Sequence, residues 1–255
     1  MSKKKKIPDF KKATPSELLQ LARSTNPAIL DTFLDNLELN DNLITLILRN
    51  PYLSTDSILK ISQNKKWMKN LWVQAAIVNH PKTPQSLSLE LLPNLYPMDL
   101  LKVAENLRIS PLVRRKAEII LLEKIKKMDL GEKINISRRA TYYMLKFISK
   151  EKNFKVLKAI AENPRCTEEI LIRTVNQPDI SQEFLEFLSN NFRWKNRYSL
   201  KLSIVKSPSS PILLVLKLLD RLKKKDLIEL SQDEKQPDVI LKKIKSILEN
   251  RKNLT

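Results

Sequence analysis

The chain has 255 residues, 42% of them hydrophobic, enough to bury a substantial core in one or two domains and too apolar for a disordered chain. It sets 47 Lys and Arg against 28 Asp and Glu, a formal net charge of +19, and holds one glycine, one cysteine and one histidine. Within the chain that excludes a disulfide, a cysteine-based metal cluster, a His–Asp triad and a paired-histidine zinc site.

The single glycine argues against hairpins and phosphate-cradling loops, which need positive φ or close backbone approach. Fourteen prolines suit helix starts instead, so an all-α fold is expected. Residues 1–12, "MSKKKKIPDFKK", read as a disordered basic tail, since Pro8 and Asp9 stand where a signal peptide would turn apolar. No run of about eighteen apolar residues occurs, so no membrane span is expected and a cytoplasmic location is.

Thr14-Pro15-Ser16-Glu17 is a capping box that opens the first helix. Asn26-Pro27 and Asn50-Pro51 read as turns, because the residue before proline avoids the α region. From Trp67 to Val78, "WMKNLWVQAAIV", one stripe carries Trp67, Leu71 and Val78, while Trp72, Val73, Ala75 and Ala76 leave little polar face. A helix buried between neighbours is expected there. Thr83-Pro84 and Ser210-Pro211 each read as an N-cap followed by proline at the first helical position. Asp99 and Asp226 also read as N-caps, with Glu229 completing a capping-box pattern in the second case. "MDLGEKINISRRATYYMLKFISK", residues 128–150, departs from the proline spacing. Its expected form is a loop around Gly131, then a helix from Ser137 with Ala140, Met144, Phe147 and Ile148 facing inward. Thr167-Glu168-Glu169 puts two acids in a first turn, where the helix dipole favours them.

Laying residue 51 over residue 178 matches Pro51 with Pro178, Ser54 with Ser181, Asn64 with Asn191 and Trp67 with Trp194. The register continues through Ile77-Val78 with Ile204-Val205 and Asp99-Leu100 with Asp226-Leu227; a one-residue slip then pairs Val113 with Val239. The chain is therefore internally duplicated. Within the first copy, Pro51, Pro81 and Pro111 are thirty residues apart, and a helical period of that size is the mark of a solenoid. The expected organisation is helical repeats over 13–128, a connector loop and helix over 129–150, and further repeats over 151–250.

Units of helix, Asn-Pro turn and leucine-rich helix resemble the leucine-rich repeat variant and HEAT-like families. "LILRNPYLSTDSILKIS" (46–62) and "AIAENPRCTEEILIRTV" (159–175) carry the resemblance best, and it covers residues 14–250. It implies a right-handed α-solenoid of short HEAT-like repeats. The spacing exceeds the variant repeat's two dozen residues over most of the chain, and the cysteine cluster found beside some such repeats is absent, so an iron–sulfur role does not carry over. Some HEAT-like solenoids remove alkylated bases from DNA with Trp, Asp and Arg on a concave face, but no such triad can be assigned from this sequence.

His80 reads as a turn residue and Cys166 as a small residue before a helix rather than a nucleophile. Trp67 and Trp194 read as packing rather than base-stacking groups, because they are equivalent across the copies. Basic clusters remain: Lys65-Lys66, Arg114-Arg115-Lys116, Arg138-Arg139, Arg193 with Lys195 and Arg197, Lys223 to Lys225 and Lys242-Lys243. They read either as compositional drift beside acids such as Glu118 and Glu234, or as a binding face for a polyanion. Candidate anion-binding residues are Arg114, Arg115, Arg138, Arg139, Arg193 and Arg197. The expectation is a non-enzymatic scaffold for an acidic protein partner, with nucleic acid as the alternative, and with no catalytic residue, metal or cofactor. The oligomeric state is not legible.

Overall fold

In a chain with one glycine, helices must close without the left-handed residue that commonly ends them. The computed structural model describes residues 13–34, 36, 39–233 and 236–252, and among these only Asp179 takes a positive φ, 57°. The described residues form eighteen α-helices and no strand. The basic tail 1–12 and Glu234 lie outside them.

The chain divides into two units, residues 1–127 and 128–255. Unit 1 holds α1 (Pro15–Leu21), α2 (Pro27–Phe33), α3 (Asp41–Ile47), α4 (Thr55–Gln63), α5 (Lys65–Met68), α6 (Leu71–Asn79), α7 (Gln85–Leu91), α8 (Pro97–Glu105) and α9 (Pro111–Ile125). Unit 2 holds α10 (Leu130–Arg139), α11 (Tyr142–Ile148), α12 (Phe154–Glu162), α13 (Glu168–Val175), α14 (Gln182–Asn190), α15 (Tyr198–Lys206), α16 (Ile212–Leu219), α17 (Lys224–Ser231) and α18 (Asp238–Lys252). In unit 1, α3 packs on α6, α6 on α8, α7 on α9 and α8 on α9. In unit 2, α10 packs on α12, α12 on α14, α13 on α15 and α16 on α18.

The duplication is longer and more regular than the sequence match. Helices α1 and α11 run 15–21 and 142–148, α4 and α14 run 55–63 and 182–190, α9 and α18 run 111–125 and 238–252, all at an offset of 127. Buried positions follow: Leu18 with Leu145, Leu30 with Leu157, Ile58 with Leu185, Leu100 with Leu227. The slip at Val113 is not present. Val113 corresponds to Ile240, both buried at the same place in equal helices, while Val239 is 55% exposed.

The segment 129–150 belongs to unit 2 as α10 and α11, and α11 continues the period as the counterpart of α1. Gly131 is the second residue of α10 rather than part of a loop, because Asp129 caps that helix by accepting from Glu132 N at 2.8 Å. The helix then stops at Ala140, and Thr141 caps α11, which turns the apolar face. Ala140, Met144 and Ile148 are buried as expected, but Phe147 is 45% exposed.

Several helix starts differ from the sequence reading by a few residues. Thr83 and Ser210 do not cap forward; their hydroxyls donate backward to Ile77 O and Ile204 O, and α7 and α16 begin after the prolines. Asp99 and Asp226 sit at the third helical position, not at the cap. Glu229 pairs with Lys206 at 2.6 Å instead of closing a capping box. The run from Trp67 to Val78 is two helices, because Asn70 accepts from Trp72 N at 2.9 Å and starts α6 anew. That leaves Trp72 on the outer side, 68% exposed. Glu17 acts as expected, accepting from the Thr14 N–H and hydroxyl at 2.8 Å each, and Glu168 and Glu169 occupy the first turn of α13.

Helix C-termini leave carbonyls that need donors. Here side chains from about one repeat later supply them. Asn50 Nδ2 donates to Ala22 O and Ser24 O at 2.8 Å, and Asn106 Nδ2 to Asn79 O at 2.9 Å. In unit 2, Gln177 Nε2 donates to Ser149 O at 2.8 Å, the same pair of positions as Asn50 and Ala22. Lys124 reaches Pro93 O and Leu95 O, and Arg251 reaches the corresponding Asp220 O and Leu222 O. Part of the positive charge is therefore spent on the fold.

Candidate anion-binding surfaces

The six candidate arginines differ in what holds them. Arg114 and Arg115 lie on α9 in unit 1. Arg114 has a buried Nε with no hydrogen-bond acceptor, and Arg115 donates to Glu118 at 3.1 Å. Arg138 and Arg139 end α10 in unit 2, and both are exposed. The Arg139 carbonyl accepts from Arg165 Nη1 at 2.8 Å. Arg193 donates to Asn163 O, Pro164 O and Cys166 O at 2.7–3.2 Å, and its guanidinium lies 4.4 Å from the Trp194 ring centroid. Its donors are engaged by backbone. Arg197, just ahead of α15, is exposed and has no side-chain partner among the described residues; the same holds for Arg138.

Both matched tryptophans are buried, and Trp194 Nε1 donates to Ala161 O at 3.0 Å. Cys166 is buried, and burial pushes its thiol up to about 12 in spite of Arg193, so no thiolate forms near neutrality. His80 is buried against the end of α3, with Nε2 donating to Asn50 O at 3.0 Å and Nδ1 accepting from Lys82 N at 3.1 Å. Only the neutral ring with its proton on Nε2 satisfies both partners. Burial lowers the His80 pKa foremost and Lys82 lowers it further, against the Asn50 bond. In the unfolded chain the ring takes a proton near the ordinary value of about 6.5. The unfolded state thus binds the proton first, and the stabilisation from neutral His80 is present above that value and lost as pH falls below it. Wild type minus His80→Ser, the residue at the equivalent Ser207, should show a melting-temperature difference that shrinks between about pH 7.5 and 5.5. A constant difference would mean that the ring binds its proton equally well folded and unfolded, and a difference that grows toward acid would mean that the folded ring is the protonated one.

Unit 1 also carries a cleft of about 390 Å³ that no sequence cue singled out. Arg49, just after α3, Trp72, at the start of α6, and Lys102 and Arg108, on and after α8, line it with Asp99. Lys102 Nζ donates to Asp99 at 2.9 Å. The Arg49 and Arg108 guanidinia have no partner among the described residues, and both residues are exposed. At an offset of 127 the second copy has Asn176 for Arg49, Ser199 for Trp72 and Glu229 for Lys102, although the helices and core positions around them agree. That divergence on a shared scaffold was the available signal, and it was already legible in the register that lays residue 51 over residue 178. No family model matches the chain, and neither a curated protein nor a solved structure matches it.

Proposed function

We propose that the protein is a non-enzymatic right-handed α-solenoid of HEAT-like repeats, an adaptor that holds an acidic protein partner on an electropositive surface. The solenoid part is supported by bonds that recur between a helix end and a side chain 26 to 32 residues later in both units. The binding part rests on one observation: after the backbone-capping cations are set aside, exposed arginines remain unpaired, Arg138 and Arg197 among them. An unpaired guanidinium offers a planar fork of donors to carboxylates.

Exposed aromatic surface gives a second reading, a nucleic-acid backbone binder, because the open indole of Trp72 suits a base. Retention on immobilised polyglutamate and on a single-stranded oligonucleotide, compared at about 0.15 M salt, separates the two. Stronger retention on polyglutamate, weakened several-fold by Arg138→Gln with Arg197→Gln, is expected. Melting should not move, since exposed positions contribute within about 0.5 kcal/mol. Retention unchanged by the double variant would remove these two arginines from the surface, and tighter oligonucleotide binding would favour the second reading.

A further inference from the structure

The cleft of unit 1 is lined by two unpaired arginines and an exposed indole. Arg49 and Arg108 follow α3 and α8, which both pack on α6, and Trp72 stands at the start of α6 itself. Asp99 is the one carboxylate among these groups and is already paired with Lys102. The indole Nε1 of Trp72 donates to nothing among the described residues. The cleft therefore favours a ligand rich in acceptors with one apolar group.

Its size and isolation decide which polyanion. About 390 Å³ holds a few side chains. A phosphate backbone followed along a repeat array needs cations repeated from unit to unit. Here the matching positions of the second copy replace Arg49, Trp72 and Lys102 with Asn176, Ser199 and Glu229, and only Arg108 keeps a basic counterpart, Lys235. The basic and aromatic set is local, as for a reader of a short segment.

Resting on the adaptor reading above, we propose that this cleft is where the partner is read. It takes an extended acidic segment of the partner protein, with an apolar side chain against Trp72 and carboxylates on Arg49 and Arg108. Alternate residues of an extended segment face one side, so a Glu-x-Leu-x-Glu pattern presents all three groups together.

The probe is a labelled peptide of that pattern, read by fluorescence anisotropy and by tryptophan emission, to which Trp72 is the exposed contributor. The full chain should bind it, and should bind the Gln-x-Leu-x-Gln peptide at least tenfold more weakly. Arg49→Asn with Trp72→Ser, which installs the second copy's residues, should lose at least tenfold in affinity with the helical content kept. Should that pair unfold, the single Lys102→Glu at a solvent-exposed position carries the same expectation. Acidic-peptide binding that survives these changes overturns the cleft and leaves the adaptor reading standing. No binding of the acidic peptide by an unaltered chain that still holds polyglutamate overturns the cleft alone, and loss of both overturns the adaptor reading with it. An oligonucleotide of equal charge that binds more tightly and is released by the cleft variant overturns the peptide as occupant.

Discussion

Replacing Asn163 by alanine should lower the unfolding free energy of unit 2 by about 3 kcal/mol. Asn163 is fully buried, and its amide satisfies three backbone groups at once. Nδ2 donates to Ser137 O at 2.8 Å and to Ala140 O at 3.0 Å, closing the end of α10, and Oδ1 accepts from Arg165 N at 2.7 Å. Alanine strands all three away from water, and each buried orphan costs about 1–3 kcal/mol, offset in part by relaxation. Emission from Trp194 during urea unfolding, in a background of Trp67→Phe and Trp72→Phe, reports unit 2. A loss below about 1 kcal/mol at Asn163 would mean that water reaches the end of α10.

Arg193→Ala should cost about 2 kcal/mol, whereas Arg197→Ala should stay within about 0.5. The two stand four residues apart in one basic cluster and look alike as sequence. Yet Arg193 donates to three carbonyls around the Asn163 turn and covers the Trp194 ring, while Arg197 touches nothing comparable. Charge-assisted bonds are worth about 1.5–3 kcal/mol each when buried, and the exposure of Arg193 trims that sum. Lysine should rescue little, since one ammonium cannot span the carbonyls that a planar fork reaches. Urea midpoints for Arg193→Ala, Arg193→Lys and Arg197→Ala give the comparison. Unchanged stability in Arg193→Ala together with weaker polyglutamate retention would reassign Arg193 from the fold to the binding surface.

The sequence by itself determined the features that depend on local chemistry. One glycine and fourteen prolines imply an all-helical chain, Glu17 closes its capping box, and Glu168 and Glu169 fall in a first turn, because these interactions span three or four residues. The repeated tryptophans and proline turns were likewise legible, since a duplicated core keeps its side chains.

Tertiary structure decided whatever depended on which neighbour arrives. Thr83 has the look of a cap, yet the end of α6 offers Ile77 O behind it, and the hydroxyl turns back. Trp72 belongs to an apolar run, but Asn70 restarts the helix and rotates that ring outward. Val113 and Val239 match as letters, but helix phase pairs Val113 with Ile240, since burial follows the angle around the helix and not the identity of the residue. The division of the positive charge was settled the same way. Arg193, Arg251 and Lys124 fall beside carbonyls left bare by helices without glycine caps, whereas Arg49 and Arg108 fall where no carbonyl waits. A charge has the same sign everywhere in a sequence, but only the backbone about one repeat earlier determines whether its donors are already taken.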